Sequence, residues 1–172
     1  MSVNHRVTQV LTALTAALAL LLALPAQAGP DDNALVWSTD REISVPFVWW
    51  DTVTEMGAMM YHIYDTLVYR NPETMAYEPL LATSWEWIDD TTLELKLRQG
   101  VTYHDGSSFT ADDVVKSYSM LLDPATAVVN DRFVKWMNEV EKVDDYTVRL
   151  NLAEPFPAAL EFLSGTRMAV PP

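Results

Sequence analysis

The chain contains no cysteine and only five glycines among its 172 residues. Without cysteine there is no disulfide framework, no thiolate nucleophile, no cysteine-based metal site and no lipid-modified cysteine at a mature N-terminus. The five glycines form no glycine-rich loop of the kind that cradles a phosphate group. The sequence therefore excludes disulfide cross-links, catalysis by a thiol and phosphate binding by a glycine-rich loop.

Positive charge is also scarce. The chain has 11 Lys and Arg against 24 Asp and Glu, which gives a formal net charge of −13. A nucleic-acid-binding surface requires clustered basic side chains, and no such cluster occurs, so we expect no nucleic-acid partner. Hydrophobic residues make up 49% and charged residues 20% of the chain, which is typical of a globular protein of about one domain.

Long apolar runs are limited to the N-terminus. Val10 to Leu24 form a 15-residue stretch broken only by two threonines, and Ala26-Gln27-Ala28 then gives a small-x-small cleavage site. A short, weakly basic start followed by these features indicates a secretory signal peptide. Because the run is shorter than the ~20 residues that span a bilayer, we predict that residues 1–28 are cleaved and that the exported product is not membrane-embedded.

Apolar residues of the remaining chain alternate or recur at helical spacing. Period-two alternation on both sides of Asp89-Asp90 predicts an antiparallel hairpin with one buried face, and the pattern returns on both sides of Asp144-Asp145. Residues 35–39 read as a first strand. Spacings of three and four predict helices over residues 53–67, 111–122 with Thr110 as N-cap, 132–139 and 158–163.

No catalytic constellation emerges from the residue pattern. His104-Asp105 would suit a metal or an acid–base pair, but no third ligand has the required spacing, so a turn followed by a helix cap is favoured. His62 lies on a predicted helix. We therefore predict no catalytic residues, no metal and no cofactor. Two loop tryptophans, Trp49 and Trp50, are candidates for contact with a ligand, because binding residues concentrate on loops.

Five segments together resemble a known family. They are LLATSWE at residues 80–86, TLELKLRQGV at 92–101, YHDGSSFTADDVV at 103–115, IYDTLV at 63–68 and DYTVRL at 145–150. In these segments the chain resembles the solute-binding protein family 5, the extracytoplasmic receptors of dipeptide, oligopeptide and nickel ABC importers. The resemblance runs from about Leu35 to Pro172.

The resemblance implies an α/β fold, the type II periplasmic binding protein-like clamshell with a subdomain inserted into its first lobe. Residues 29–55 would form the first strand and loop of lobe one, and residues 56–172 the inserted subdomain. Family chains are much longer, so we expect this sequence to be an N-terminal fragment that lacks the second lobe.

The resemblance also implies where the solute binds. Family members contact it through the loop after the first strand, which is Asp40, Arg41 and Glu42 here. The Leu-Asp-Pro that commonly follows is replaced by Ser44-Val45-Pro46. A position after the Asp123-Pro124 helix stop, best matched by Asn130, also approaches the ligand in some members.

The implied function is that of the periplasmic substrate-binding subunit of an ABC importer. It would capture a small solute, most simply a peptide, and deliver it to the permease, while separate ATPase subunits hydrolyse ATP. Two alternatives remain open on the sequence alone. One is a secreted hydrolase that uses carboxylates such as Asp112 and Glu139, and the other is a truncated remnant that binds no solute.

Overall fold

A computed structural model describes residues 49–50, 54–129 and 131–172. The chain divides into two units, Met1–Thr39 and Asp40–Pro172, and every described residue belongs to the second. The predicted signal peptide and first strand therefore lie outside the described residues. None of the helices in the described part is long and apolar enough to cross a membrane.

A four-stranded antiparallel sheet forms the centre of this unit. A separate two-stranded ladder precedes it. The strands of the ladder and the sheet are β1 (Val68–Arg70), β2 (Tyr77–Pro79), β3 (Ala82–Asp89), β4 (Thr92–Leu97), β5 (Met137–Asp144) and β6 (Thr147–Leu152). In the four-stranded sheet the order is β3-β4-β6-β5, so that two sequential hairpins pair through β4 and β6. Both predicted hairpins are confirmed.

Period-two alternation places the core on one face of the sheet. Leu95 pairs with Val148 and both are fully buried, whereas the next pair along the strands, Glu94 and Arg149, lies on the opposite face. Successive side chains of a strand point to opposite faces, so this register buries the leucines and valines together.

The β3 strand departs from the prediction of a buried face. Trp87 remains 38% exposed and Ile88 51% exposed, although both lie in the predicted hairpin. β3 is an edge strand with register shifts near both ends, so only one neighbour covers it. Most of the buried side chains in this hairpin are those of β4.

Helix α1 (Thr54–Met60) is much shorter than the predicted helix over residues 53–67. The helix ends in a turn after Met60, where the Met60 carbonyl accepts a hydrogen bond from the N–H of Ile63, three residues later, at 3.1 Å. Farther on, the carbonyl of Leu67 accepts a bond from the Ala82 N–H at 2.8 Å. This tertiary pairing extends the chain toward β1 and overrides the helical spacing of its apolar residues.

Helix α2 (Ala111–Leu122) confirms the predicted bounds and N-cap. The Asp113 carboxylate accepts a bond from the Thr110 backbone N–H at 2.7 Å, which satisfies a donor that the helix leaves free. On the exposed side, Lys142 Nζ lies 2.8 Å from Asp112 Oδ2 and 2.9 Å from Asp145 Oδ1. These ion pairs connect the start of α2 to the β5–β6 turn.

The predicted helix over residues 132–139 is wrong. A single 3-10 turn, Asp131–Phe133, is followed by β5, which begins at Met137 opposite Leu152 of β6. Pairing with β6 buries Met137 and Val140 on the core face, and this tertiary pairing overrides the helical spacing of the apolar residues. Helix α3 (Ala159–Leu163) starts one residue after its predicted position.

Candidate functional site

The two loop tryptophans have different environments. Trp49 is 4% exposed and its indole N–H donates to the Arg167 carbonyl at 2.8 Å. Trp50 is 41% exposed and its indole N–H donates to the Thr126 carbonyl at 2.8 Å. The two rings meet edge to face, with centroids 5.9 Å apart. Trp50 therefore presents an aromatic surface to solvent, while Trp49 packs into the core.

The segment at residues 126–129 lies against this tryptophan pair. Besides the bond from Trp50 to Thr126, the Val129 N–H donates to the Trp49 carbonyl at 3.0 Å. Ala127 closes the preceding 3-10 turn with φ of 50°, the left-handed conformation that ends such turns. The position next along the chain is Asn130, one of the predicted ligand contacts. Trp49 and Trp50 are thus hydrogen-bonded to the segment at residues 126–129, which directly precedes Asn130 in the sequence.

Aromatic donors also hold the segment at residues 167–171. The Tyr118 hydroxyl donates to the Met168 carbonyl at 2.8 Å, and the Tyr103 hydroxyl donates to the Pro171 carbonyl at 3.3 Å. Burial raises the pKa of both phenols above their ordinary value, and for Tyr103 the nearby Asp113 carboxylate adds to this. Both phenols are therefore neutral donors throughout the physiological pH range.

Two arginines lie near the same region. The guanidinium carbons of Arg132 and Arg167 each lie 4.9 Å from the centroid of the Phe133 ring, within cation–π range. Phe133 in turn packs on Phe162, with centroids 5.6 Å apart. These cations stand out in a chain of net charge −13. Sequence reasoning missed them because they lie 35 residues apart in the chain and share no motif.

A cleft of about 510 Å³ opens beside the 126–129 segment. Its lining mixes apolar and polar residues, and Ala127 and Val128 contribute to it. The size falls within the range of ordinary small-molecule sites. The other apolar lining residues are Leu121, Leu122, Pro124, Val134 and Met137, and the polar ones are Asp123, Asp131, Lys135 and Asn138.

The remaining predicted ligand contacts are not described. Asp40, Arg41, Glu42 and Asn130 all lie outside the described residues. Their role stays a prediction.

The histidines and carboxylates that suggested chemistry have local roles. Asp105 accepts bonds from the N–H and hydroxyl of Ser107 at 2.8 and 2.7 Å, which lower the pKa of its carboxyl and close a turn at Gly106. His62 Nδ1 lies 2.9 Å from the Ala58 carbonyl. Within residues 49–50, 54–129 and 131–172, no group of three or more His, Asp or Glu side chains is placed to hold a metal ion.

The carboxylates of the hydrolase alternative lie on separate elements. Asp112 begins α2 and pairs with Lys142, whereas Glu139 is exposed on the edge strand β5 opposite Asn151 of β6. One is engaged in an ion pair that supports the fold, and the other faces solvent.

The outer face of the sheet carries a charge network. Glu94 accepts from Lys96 at 2.9 Å and from Arg149 Nε at 2.9 Å. Both cations lower the pKa of the Glu94 carboxyl, the bond from Lys96 most. This network neutralises charge across β4 and β6 and lies on the face opposite the core.

Residues 76–172 match the family described as bacterial extracellular solute-binding proteins, family 5 Middle. Heme-binding protein A of Haemophilus influenzae is 35% identical, with 58% of this chain and 21% of that protein covered. Glutathione-binding protein GsiB of Escherichia coli strain K12 is 31% identical, with coverages of 56% and 19%. The chain therefore spans about a fifth of the length of these relatives.

Solved structures match the described fold as well. The oligopeptide-binding protein AppA from Bacillus subtilis, in complex with a nonapeptide, aligns with a TM-score of 0.68 and 25% identity over 76% of this chain and 26% of its own. The structures matched are type II periplasmic binding proteins, which confirms the predicted α/β fold class. With the family match covering more than half of its residues, this chain belongs to the bacterial extracellular solute-binding proteins of family 5.

Proposed function

We propose that this chain is part of the substrate-binding subunit of an ABC importer, and that its solute is a peptide. The observation that carries the proposal is the family match over residues 76–172. The role involves no catalysis: the subunit captures a solute outside the cytoplasm and delivers it unchanged to a membrane permease, while separate subunits hydrolyse ATP. The predicted signal peptide over residues 1–28 fits a periplasmic location.

Two of the relatives support a peptide as the solute. GsiB is named for glutathione, which is itself a tripeptide, and the AppA structure holds a nonapeptide. Heme-binding protein A is named for a different kind of solute, so heme is the natural competitor in a binding test.

The described geometry supports a peptide in two further ways. Trp50 offers an exposed ring on which an apolar or aromatic side chain can stack. Arg132 and Arg167 supply positive charge in the same region of a strongly acidic chain. A peptide carries both an apolar side chain and a carboxylate, and guanidinium groups suit the latter.

The proposed mechanism is closure of two lobes around the solute. A ligand shifts such an equilibrium only by its greater affinity for the closed state. Closure then changes the surface that the permease meets. In this scheme the described unit is a rigid part of the first lobe, and its loops contribute one side of the site.

Isothermal titration calorimetry tests the proposal on the polypeptide encoded by the complete gene. The ligands are glutathione, a tripeptide mixture and a nonapeptide, with heme as the competing solute. We expect saturable binding to at least one peptide and none to heme. Binding to heme alone overturns the peptide assignment, and binding to no peptide, opine or metal chelate overturns the solute-capture role proposed here.

A pair of tryptophan variants tests the predicted site. Trp50 and Trp87 are exposed to similar extents, 41% and 38%, but Trp87 lies on the edge strand β3. Trp50→Ala is expected to weaken peptide binding about tenfold, since stacking and burial of an aromatic ring contribute about 1–2 kcal/mol. Trp87→Ala is expected to leave binding unchanged. Equal effects of the two variants would contradict a ligand contact at Trp50.

A further inference from the structure

Three chain segments that no β-ladder joins meet at one residue, Trp49. The Trp49 indole N–H donates to the Arg167 carbonyl, 118 residues later in the chain. The Trp49 backbone carbonyl accepts from the Val129 N–H. A single residue thus bonds both the 126–129 segment and the 167–171 segment, once through its side chain and once through its backbone.

The neighbouring bonds reinforce both connections. Trp50 adds a second bond to the 126–129 segment through the Thr126 carbonyl. Tyr118 holds Met168, and the Val170 N–H donates to the Asp65 carbonyl at 3.1 Å. The 167–171 segment is thereby fixed at successive residues from three different parts of the fold, without belonging to a sheet.

The Trp49 indole is largely withdrawn from water. The residue is 4% exposed and its bond to the Arg167 carbonyl is partly buried, so water replaces a lost indole donor only in part. Losing a partly buried hydrogen bond costs more than losing an exposed one.

We infer that Trp49 is a positioning residue that couples the 126–129 and 167–171 segments, so that they open together and not independently. Both segments flank features of the candidate site: the first leads directly to Asn130, and the second carries Arg167. The significance for solute binding rests on the proposed function, but the coupling itself is a property of the chain without solute.

Trp136 provides a matched control. It is 6% exposed, and its indole N–H donates to a backbone carbonyl at 2.7 Å, as that of Trp49 does. The acceptor is Phe133, only three residues away, so this bond joins no distant segments. Trp49→Phe and Trp136→Phe therefore each remove one shielded indole donor, but only the first removes a long-range connection.

Hydrogen exchange of the full chain, followed by NMR, measures the coupling. In Trp49→Phe we expect the Val129 and Val170 amides to exchange about tenfold faster than in the unmodified chain, while the β4 amides keep their rates. In Trp136→Phe, the Val129 and Val170 amides are expected to keep theirs. Unchanged Val129 and Val170 rates in Trp49→Phe, or equal acceleration by both variants, overturn the inference.

A second measurement does not depend on the folding of a variant. In the unmodified chain, coupling requires the Trp49 indole proton and the Val129 and Val170 amides to share one opening equilibrium. Their protection factors should agree within about threefold and fall with urea at the same slope. Different slopes for the two segments would show independent opening. Because no solute is present, failure here leaves the proposed solute-capture role standing.

Discussion

The four-stranded sheet and the segments around Trp49 are held together by different means. In the sheet, backbone pairs repeat at every second residue, and each apolar side chain packs on a partner set by the register. Around Trp49, single side-chain donors bond single carbonyls of segments far away in sequence. The sheet repeats one interaction many times, whereas the second region depends on a few individual bonds.

The two regions are therefore sensitive to different kinds of substitution. Loss of one ladder bond in the sheet leaves its neighbours in place, so damage comes mainly from cavities in the buried face. Loss of one aromatic donor near residues 167–171 removes one of the few bonds that hold that segment. The sheet should therefore respond to changes of volume, and the second region to changes of hydrogen bonding.

Leu95→Ala should have the largest effect. Leu95 is fully buried on β4, and truncation leaves a cavity among rigidly paired strands, which destabilises by about 2–5 kcal/mol. Urea denaturation followed by circular dichroism gives the free energy of unfolding. Leu80→Ala, at a position outside the core, is the control and should cost far less. A loss below about 1 kcal/mol for Leu95→Ala would show that the sheet tolerates cavities.

Tyr118→Phe tests the opposite sensitivity, since it changes one hydroxyl and almost no volume. The Met168 carbonyl loses its donor in a fully buried setting, and we expect a loss of about 1–3 kcal/mol. Tyr146→Phe, on the partly buried turn beside β6, provides a control for removal of a tyrosine hydroxyl. Equal stability of Tyr118→Phe and the unmodified chain would indicate that individual bonds do not order residues 167–171.

Asp113→Ala tests how the helix that covers the sheet begins. Removing the carboxylate leaves the Thr110 N–H without its acceptor and takes a negative charge from the helix N-terminus. We expect a loss of about 1 kcal/mol in the free energy of unfolding. Lys116→Ala, on the exposed side of the same helix, should lie within about 0.5 kcal/mol of the unmodified chain. The cap has no role if the two variants are equally stable.

Glu94→Gln should have the smallest effect on the free energy of unfolding at neutral pH, below about 1 kcal/mol. The ion pairs of Glu94 with Lys96 and Arg149 lie on the outer face of the sheet, where such pairs contribute little. The folded state lowers the pKa of Glu94 from its ordinary value of 4.5, so its stabilisation is present above that pH and is lost as the pH falls through the folded pKa. Acid titration of the unfolding free energy should therefore be shallower for Glu94→Gln. Glu73→Gln, exposed in the β1–β2 turn, should follow the unmodified curve. If the unfolding free energies of Glu94→Gln and Glu73→Gln changed with pH at the same slope, the lowered pKa of Glu94 would not be a source of stability.

The predictions from sequence succeeded where periodicity and local chemistry agree. The hairpins at Leu93-Leu95-Leu97 and Val148-Leu150-Leu152 were predictable because alternation leaves only one face to bury, and α2 because Thr110 and Asp113 bracket its first turn. The helix predicted over residues 53–67 was overextended because the backbone at Leu67 pairs with Ala82. No local pattern reports such a pairing.

The candidate site was harder to predict for the same reason. Trp49 and Trp50 have the same residue type and neighbouring positions, and only tertiary packing makes one a buried connector and the other an exposed ring. The approach of Arg132 and Arg167 to Phe133 likewise depends on how the chain returns after β6 and α3.

Sequence by itself determined the family, the absence of cysteine chemistry, the acidic balance and the strands whose alternation is regular, because these depend on residue identity and short-range spacing. Which tryptophan is buried, where α1 ends, and that a strand begins at Met137 inside the helix predicted over residues 132–139, all depend on the tertiary structure. Those outcomes follow from contacts between residues tens of positions apart, whose energies exceed the small local preferences that a sequence pattern records.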